Sequence, residues 1–448
     1  MNMSLHAQQD VVILGLGLTG LSCARFLTEK KIPFFLMDNR THPPQLSNYL
    51  NNFPKDRLKL GCFDVTRLTR AKEIILSPGM PKTLPILQPY ITKVISDIEL
   101  FQRYVTQPIV GITGSNGKST VTALLAKMSQ IAGNKAVWGA NFGMPALDLL
   151  LNHPNAAFYI LELSSFQLEI TQELNTKTAV VLNIMPDHMD RYSTFELYAN
   201  AKRKIYQHCT SPVINLDEVW IWKSLSLSNT ISYSIHNAQA NFYVRKYNHD
   251  CYIMHGEQRL LALSSLKIYG MHNAQNALAA LALGHAMGLS MKSMLDGLKT
   301  FEGLPHRCQW VRTLNEVRWY NDSKATNIMS TIAALKTLGQ LSRQKNIVLI
   351  LGGQGKNADF ALLNTPIHHY VKALVFMGED AEKIGRCITA EAIPMYYVHS
   401  LERAVLHSFN IATVGDIVLL SPACGSFDQF KNFEDRGNQF INYVLQLS

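Results

Sequence analysis

Gly114-Ser115-Asn116-Gly117-Lys118-Ser119-Thr120 follows directly on an apolar run, Pro108-Ile109-Val110-Gly111-Ile112-Thr113. Residues of these types in this order can bind phosphate. Glycines let backbone N–H groups close on phosphate oxygens, and a following helix offers its positive N-terminal end. Lys118 can then reach β- and γ-phosphates, while a Ser119 or Thr120 hydroxyl can hold Mg²⁺. The loop departs from the G-x-x-x-x-G-K-[ST] form, because Ile112 stands where Gly is usual and the nearest Gly is Gly111. The bland alternative is a chance glycine-rich turn. The strand-like run before it and the amphipathic segment 121–131 after it argue against that.

Other residues of chemical interest cluster at the ends of apolar runs. Gly15-Leu16-Gly17-Leu18-Thr19-Gly20, with Asp38 closing the next run, has the G-x-G-x-x-G arrangement of dinucleotide folds. The physics specifies only a pyrophosphate at a helix N-terminus, so a UDP-linked ligand satisfies the loop as well as NAD does. Arg40 adds a cation that could meet a phosphate or stack on a base. Glu162, after the run 157–161 and before Ser164-Ser165-Phe166-Gln167, is placed to bind Mg²⁺. Asn183 and then Asp187-His188-Met189-Asp190 follow another run and offer a second metal position, against the plain reading of a satisfied loop histidine. Lys202 shares a helical face with Tyr198, Ile205 and Tyr206, where a solvated lysine is the ordinary expectation. Later loops are Asn321-Asp322-Ser323-Lys324-Ala325-Thr326-Asn327, Gly352-Gly353-Gln354-Gly355-Lys356 and Ser421-Pro422-Ala423-Cys424-Gly425-Ser426-Phe427. They suit a small charged substrate and nucleotide phosphates. Cys424 has no histidine partner in sequence and reads as a structural thiol.

Short apolar runs alternating with helical periods must position these residues, which makes the fold class α/β. Strands are expected at 11–14, 34–37, 73–76 and 93–95, with a crossover helix over 20–29. A second block opens at 108, with strands at 135–138, 158–161, 179–182 and 212–214. An antiparallel insert is expected over 230–262, then a helix over 272–287. A third block has strands at 310–313, 317–320, 346–351, 373–377, 395–398 and 417–420. The expected domains are 1–106, 107–305 and 306–448.

Composition narrows the function classes. The chain has 448 residues, 47% hydrophobic and 17% charged, as a globular protein does. Its net charge of +9 is spread along the chain without a basic tail or basic block. Anionic small substrates or a solvated basic surface explain it as well as nucleic acid does, and no nucleic-acid partner is expected. Seven scattered cysteines form no C-x-x-C pair and suggest a reducing cytoplasm. The start shows no secretory signal, and the longest apolar runs are too short to span a bilayer, so no membrane insertion is expected.

Taken together, the motifs resemble the Mur ligase family over nearly the whole chain. They are the loop 113–120, Leu161-Glu162-Leu163-Ser164-Ser165-Phe166-Gln167-Leu168-Glu169, Asp187-His188-Met189-Asp190-Arg191-Tyr192, Leu304-Pro305-His306-Arg307, and 321–327. The stretch 421–437, ending Asp428-Gln429-Phe430-Lys431-Asn432-Phe433-Glu434-Asp435-Arg436-Gly437, resembles the D-glutamate-adding branch. The resemblance implies three domains: a Rossmann-like N-terminal one, a P-loop ATPase-like central one and a Rossmann-like C-terminal one. It implies a cytoplasmic, monomeric, ATP- and Mg²⁺-dependent ligase acting on UDP-N-acetylmuramoyl-L-alanine and D-glutamate in peptidoglycan synthesis. Leu18, Thr19, Asp38, Asn39, Arg40 and Gly79 would hold the UDP-sugar, with Ser164 and Gln167 along its path. Gly114, Asn116, Gly117, Lys118, Ser119 and Thr120 would cradle ATP, contacted further by Asn141, Asn276, Arg307, Asp322 and Lys324. Ser119, Glu162, His188 and a carbamylated Lys202 would serve the metal, with Lys118, His188 and Lys202 catalytic. Thr326, Lys356, Ser426, Phe427 and Phe433 would frame D-glutamate. Asn39, Gln354 and Gly425 depart from the family's usual residues. Two other classes compete. An NAD-dependent oxidoreductase would leave Lys118 and the third block without a role, and a nucleotide-switched scaffold would carry no ligase chemistry. A folate polyglutamate ligase is disfavoured by 421–437.

Overall fold

The computed structural model describes residues 11–189, 191–248, 250–268, 270–339, 344–355, 358–389 and 392–448. These form two compact units, the first running to Ser265 and including Gln275–Thr300, the second made of Leu266–Ala274 and Phe301–Ser448.

The first unit holds two sheets. One is five-stranded and parallel, in the order Leu58–Leu60, Phe34–Asp38, Val11–Leu14, Glu73–Leu76, Val94–Ile95. Val11–Leu14 is central and buried along its whole length, as a parallel strand covered on both faces must be. The crossover helix Leu18–Glu29 covers it with Leu21, Cys23, Ala24, Phe26 and Leu27. Leu58–Leu60 has only three residues and escaped the sequence reading, since so short a run carries no period.

The other sheet has nine strands, in the order Gln258–Ala262, Asp250–His255, Phe242–Tyr247, Ile231–Ser234, His208–Asn215, Asn175–Val181, Ile109–Thr113, Phe158–Glu162, Ala136–Ala140. Here the expectation of an antiparallel insert over 230–262 is corrected. Ile231–Ser234 and Phe242–Tyr247 run parallel to His208–Asn215 and extend the sheet; only the two pairings made by Asp250–His255, with Phe242–Tyr247 and with Gln258–Ala262, are antiparallel. Alternating polar and apolar residues mark one solvated face, and they carry no information on strand direction.

The second unit is built on six strands, ordered Gln309–Leu314, Val317–Asn321, Ile417–Leu420, Ile347–Gly352, Val371–Met377, Met395–Tyr397. Gln309–Leu314 pairs antiparallel through the Asn315-Glu316 turn, and the other strands are parallel. Ile347, Val348, Leu349, Ile350 and Leu351 are wholly buried. Each such side chain stabilises the unit by about 1.5–3 kcal/mol through burial alone. The rigid sheet therefore fixes where its C-terminal loops, 321–327, 352–355 and 421–427, emerge.

Candidate active site

The central strand Ile109–Thr113 ends where the glycine loop begins. Thr113 Oγ1 donates to the Leu163 carbonyl at 2.7 Å, and the Ser115 N–H donates to the Asn183 carbonyl at 2.9 Å. Asn183 clamps the loop from the neighbouring strand end. Its Oδ1 accepts the Asn116 N–H at 2.9 Å and its Nδ2 donates to the Asn116 carbonyl at 3.1 Å. Gly117, in the left-handed region at φ +85°, caps the helix Lys118–Ile131 with no side-chain hydrogen bond. A Cβ on it would run into Asn276 Oδ1. The N-cap residue itself thus offers no side chain to the first turn, which lies beside a loop shaped by glycine.

Two lysines converge on this loop. Lys118 Nζ donates to the Gly114 carbonyl at 2.7 Å and the Ser115 carbonyl at 3.0 Å. Lys202 Nζ donates to the same Gly114 carbonyl at 2.9 Å. Lys202 is not the solvated lysine that helical spacing alone suggests; it is 2% exposed. Burial, reinforced by the charge of Lys118, drives its amine well below the usual lysine value, against the opposing pull of Asp187 and Glu162.

Glu162 closes the strand Phe158–Glu162 and is buried. Its Oε1 accepts from Asn141 Nδ2 at 2.7 Å, while Oε2 is buried with no hydrogen-bond partner among the described residues. Such an orphaned carboxylate oxygen is costly unless something else occupies it. Ser164 and Gln167 cap the helix Ser165–Ile170 reciprocally. Gln167 Nε2 lies 3.4 Å from Asp97 Oδ2, and burial pushes the Asp97 carboxyl up to about 6. His188 has a left-handed backbone, φ +57°, and its ring lies 4.7 Å from that of Phe166. Asp190 and Lys356 lie outside the described residues.

In the five-stranded sheet, Asp38 is fully engaged. Its Oδ2 accepts the Leu16 N–H at 2.7 Å and Arg40 Nη2 at 2.7 Å, and its Oδ1 accepts Arg40 Nε and N–H, both at 2.9 Å. Burial alone would raise this carboxyl, but the bonds from Arg40 and Leu16 outweigh it and hold it below the usual range. The acid expected to meet a ribose under an NAD reading is therefore occupied by Arg40. Leu18 is 62% exposed at the start of its helix, and Thr19, Asn39 and Gly79 lie near the same strand ends.

The second unit gathers its own cluster. Asp322 accepts from Ser421 Oγ at 2.7 Å and from the Cys308 N–H at 3.1 Å, and burial pushes its carboxyl up to about 7 despite these bonds and Arg307. Lys324 Nζ sits 3.6 Å from the centre of the Phe433 ring. Thr326 donates its N–H to the Lys324 carbonyl at 2.8 Å, Ser426 is buried, and Phe427 is 68% exposed. Arg436 was quoted in the sequence motif but given no role, and it organises this cluster. It is wholly buried and donates to Ser323 Oγ at 3.0 Å and to the carbonyls of Ser323, Cys424 and Gly425 at 2.9, 3.1 and 3.2 Å. Only its charge in the first turns of the helix Phe433–Gln446 could have hinted at it. Burial pushes the Cys424 thiol up to about 12, which suits a structural thiol.

Comparison with known proteins bears on the family. The Mur ligase middle-domain model matches residues 112–284, the MurD-like N-terminal domain model 9–98, and the Mur ligase glutamate ligase domain model 306–424. A UDP-N-acetylmuramoylalanine--D-glutamate ligase of Coxiella burnetii is 44% identical over 447 residues, covering 99% of this chain and 100% of that one. The chain belongs to the Mur ligase family. A ligase of the same name from Pseudomonas fluorescens is 44% identical over 453 residues, with both chains covered completely. Among solved structures, the pseudomurein peptide ligase type C of Methanothermus fervidus has a TM-score of 0.64 at 18% identity, covering 98% of this Mur ligase and 100% of that chain. The MurF ligase of Thermotoga maritima, solved in complex with ADP, has a TM-score of 0.64 at 15% identity, covering 98% and 94%. At those identities the structures speak for the fold alone. No helix of the described residues is long and apolar enough to cross a membrane.

Proposed function

We infer that this Mur ligase joins D-glutamate to UDP-N-acetylmuramoyl-L-alanine with cleavage of ATP, in peptidoglycan precursor synthesis. The observation that carries the reading is the end-to-end match to relatives named for that ligation, at 44% identity. The loop geometry supports its first half. A helix that starts on a glycine N-cap, glycines at φ +152° and +85°, and Lys118 at the turn suit a triphosphate.

The donors also suit a magnesium ion. Among the described residues Glu162 Oε2 is buried without a hydrogen-bond partner, and Ser119 is buried in the first helical turn. Among the described residues no group of three or more His, Cys, Asp or Glu is placed to hold a metal. Mg²⁺ needs no such group, because it keeps waters and shares phosphate oxygens. Ser119 and Glu162 would hold it, with His188 and a carbamylated Lys202 as further ligands; its chemistry there is to neutralise phosphate charge. Carbamylation suits Lys202, since a buried amine kept neutral can attack CO₂, forming an N–C bond, releasing a proton and becoming an anion.

Lys118 would exchange its two loop carbonyls for the γ-phosphate. The substrate carboxylate attacks the γ-phosphorus, ADP leaves, and an acyl phosphate results. The amine of D-glutamate then attacks the activated carbonyl, and phosphate and a proton leave. Leu18, Thr19, Asp38, Asn39, Arg40 and Gly79 would seat the nucleotide-sugar. Thr326, Lys356, Ser426, Phe427 and Phe433 would hold D-glutamate, and Asn141, Asn276, Arg307, Asp322 and Lys324 would contact the nucleotide.

Phosphate release measured with each component omitted tests the reading. Release is expected only when ATP, D-glutamate and the UDP-linked substrate are all present. Lys118→Ala should abolish it while leaving the unfolding midpoint in place. Release without D-glutamate, or faster release with another amino acid, would refute the assignment.

A further inference from the structure

One arginine ties three segments of the first unit together. Arg191 leaves the His188 turn, where the Arg191 and Tyr192 N–H groups both donate to the His188 carbonyl at 3.0 and 3.1 Å. Its Nη1 donates to the Pro78 carbonyl at 2.6 Å and its Nη2 to the Met80 carbonyl at 3.2 Å, on either side of Gly79. Nη2 also lies 3.5 Å from Glu169 Oε2, a carboxylate that Lys82 Nζ approaches to the same 3.5 Å. The guanidinium carbon sits 3.9 Å from the centre of the Phe166 ring, which in turn lies 4.7 Å from the His188 ring.

The loop held in this way packs on the first glycine turn. Ser77 Oγ donates to the Gly15 carbonyl at 2.9 Å, and a Cβ on Gly15 would come within 3.1 Å of Met80 Sδ. One planar cation thus joins the Gly79 loop, the helix Ser165–Ile170 and the His188 turn. A guanidinium can donate to two carbonyls and stack on a ring at once; an ammonium cannot.

We propose that Arg191 is a positioning residue that sets the Gly79 loop against the His188 turn, so that seating the nucleotide-sugar and placing His188 depend on each other. This rests on the functional reading above, and it adds to that reading a residue that touches none of the reacting atoms. Steady-state kinetics of Arg191→Lys, which keeps the charge, test it. KM for the UDP-linked substrate should rise about tenfold and kcat should fall about tenfold, while KM for ATP stays within twofold and the unfolding midpoint within a few degrees. Phe166→Leu, which removes the ring between guanidinium and imidazole, should lower kcat more than it changes KM. The double variant should lose less than the product of the single losses. An unchanged KM for the UDP-linked substrate, equal shifts in both KM values, or strictly multiplicative losses would overturn the inference while leaving the ligase assignment standing. A wild-type enzyme inactive on the UDP-linked substrate would instead remove that assignment, and this inference with it.

Discussion

Two ammonium groups sharing the Gly114 carbonyl make an arrangement that favours a neutral Lys202, and burial accounts for most of that preference. The same balance operates at Asp322, where burial outweighs the hydrogen bonds and the nearby arginine. The folded chain binds the Asp322 proton more tightly, at about 7 against 3.8 for the ordinary carboxyl. The folded state therefore holds an extra proton between those values, and stability falls as pH rises through the window. Asp322→Asn keeps the shape and removes the titration, and the Ser421 hydroxyl can turn to accept from the new amide. Urea midpoints without ligands should decline more steeply from pH 5 to pH 8 in the wild type than in the variant; parallel slopes would count against this account. Lys118, Glu162 and His188 are legible in sequence because their neighbours form a pattern. Arg436 is not, because its four partners are a hydroxyl and three carbonyls brought together only by folding.

Several helix starts in this protein carry a side-chain cap, and the helix after the glycine loop starts on a glycine. Ser96, Ser164 and Thr194 place side-chain oxygens on the N–H groups of the helices Asp97–Tyr104, Ser165–Ile170 and Phe195–Arg203. The helix Lys118–Ile131 has Gly117 at that position, which brings no side chain of its own. Gly117→Ala would place a methyl group against Asn276 Oδ1 in a left-handed backbone, which alone costs about 1–2 kcal/mol. ATP affinity measured by calorimetry should weaken at least tenfold, with a lower unfolding midpoint; unchanged affinity would separate this loop from the nucleotide. Strand and helix positions were largely legible, because buried parallel strands read as apolar runs. The direction of Ile231–Ser234 and Phe242–Tyr247 was not, since pairing partners lie far away in sequence.

At the scale of the molecule, the five- and nine-stranded sheets share one compact unit. Arg25 pairs with Asp148 across them, Ser96 Oγ meets Thr171 Oγ1 at 2.7 Å, and the Gln172 N–H donates to Glu99 Oε2 at 3.0 Å. ATP and the UDP-linked substrate should therefore stabilise the same cooperative transition. Each should add about 2.7 kcal/mol at a hundredfold excess over Kd. Differential calorimetry with hydrogen exchange to assign the transition would show it. Stabilisation of the Phe301–Ser448 unit alone by the UDP-linked substrate would contradict the placement.

The amino-acid sequence by itself determined the α/β class, the phosphate loop and the family, because each depends on residues adjacent in the chain or recurring at a fixed period. Only the tertiary structure decided that Lys202 is buried beside Lys118, that Asp38 is taken by Arg40, and that Arg436 and Arg191 brace their loops. Those outcomes depend on desolvation and on backbone carbonyls from distant segments, neither of which leaves a trace in local spacing.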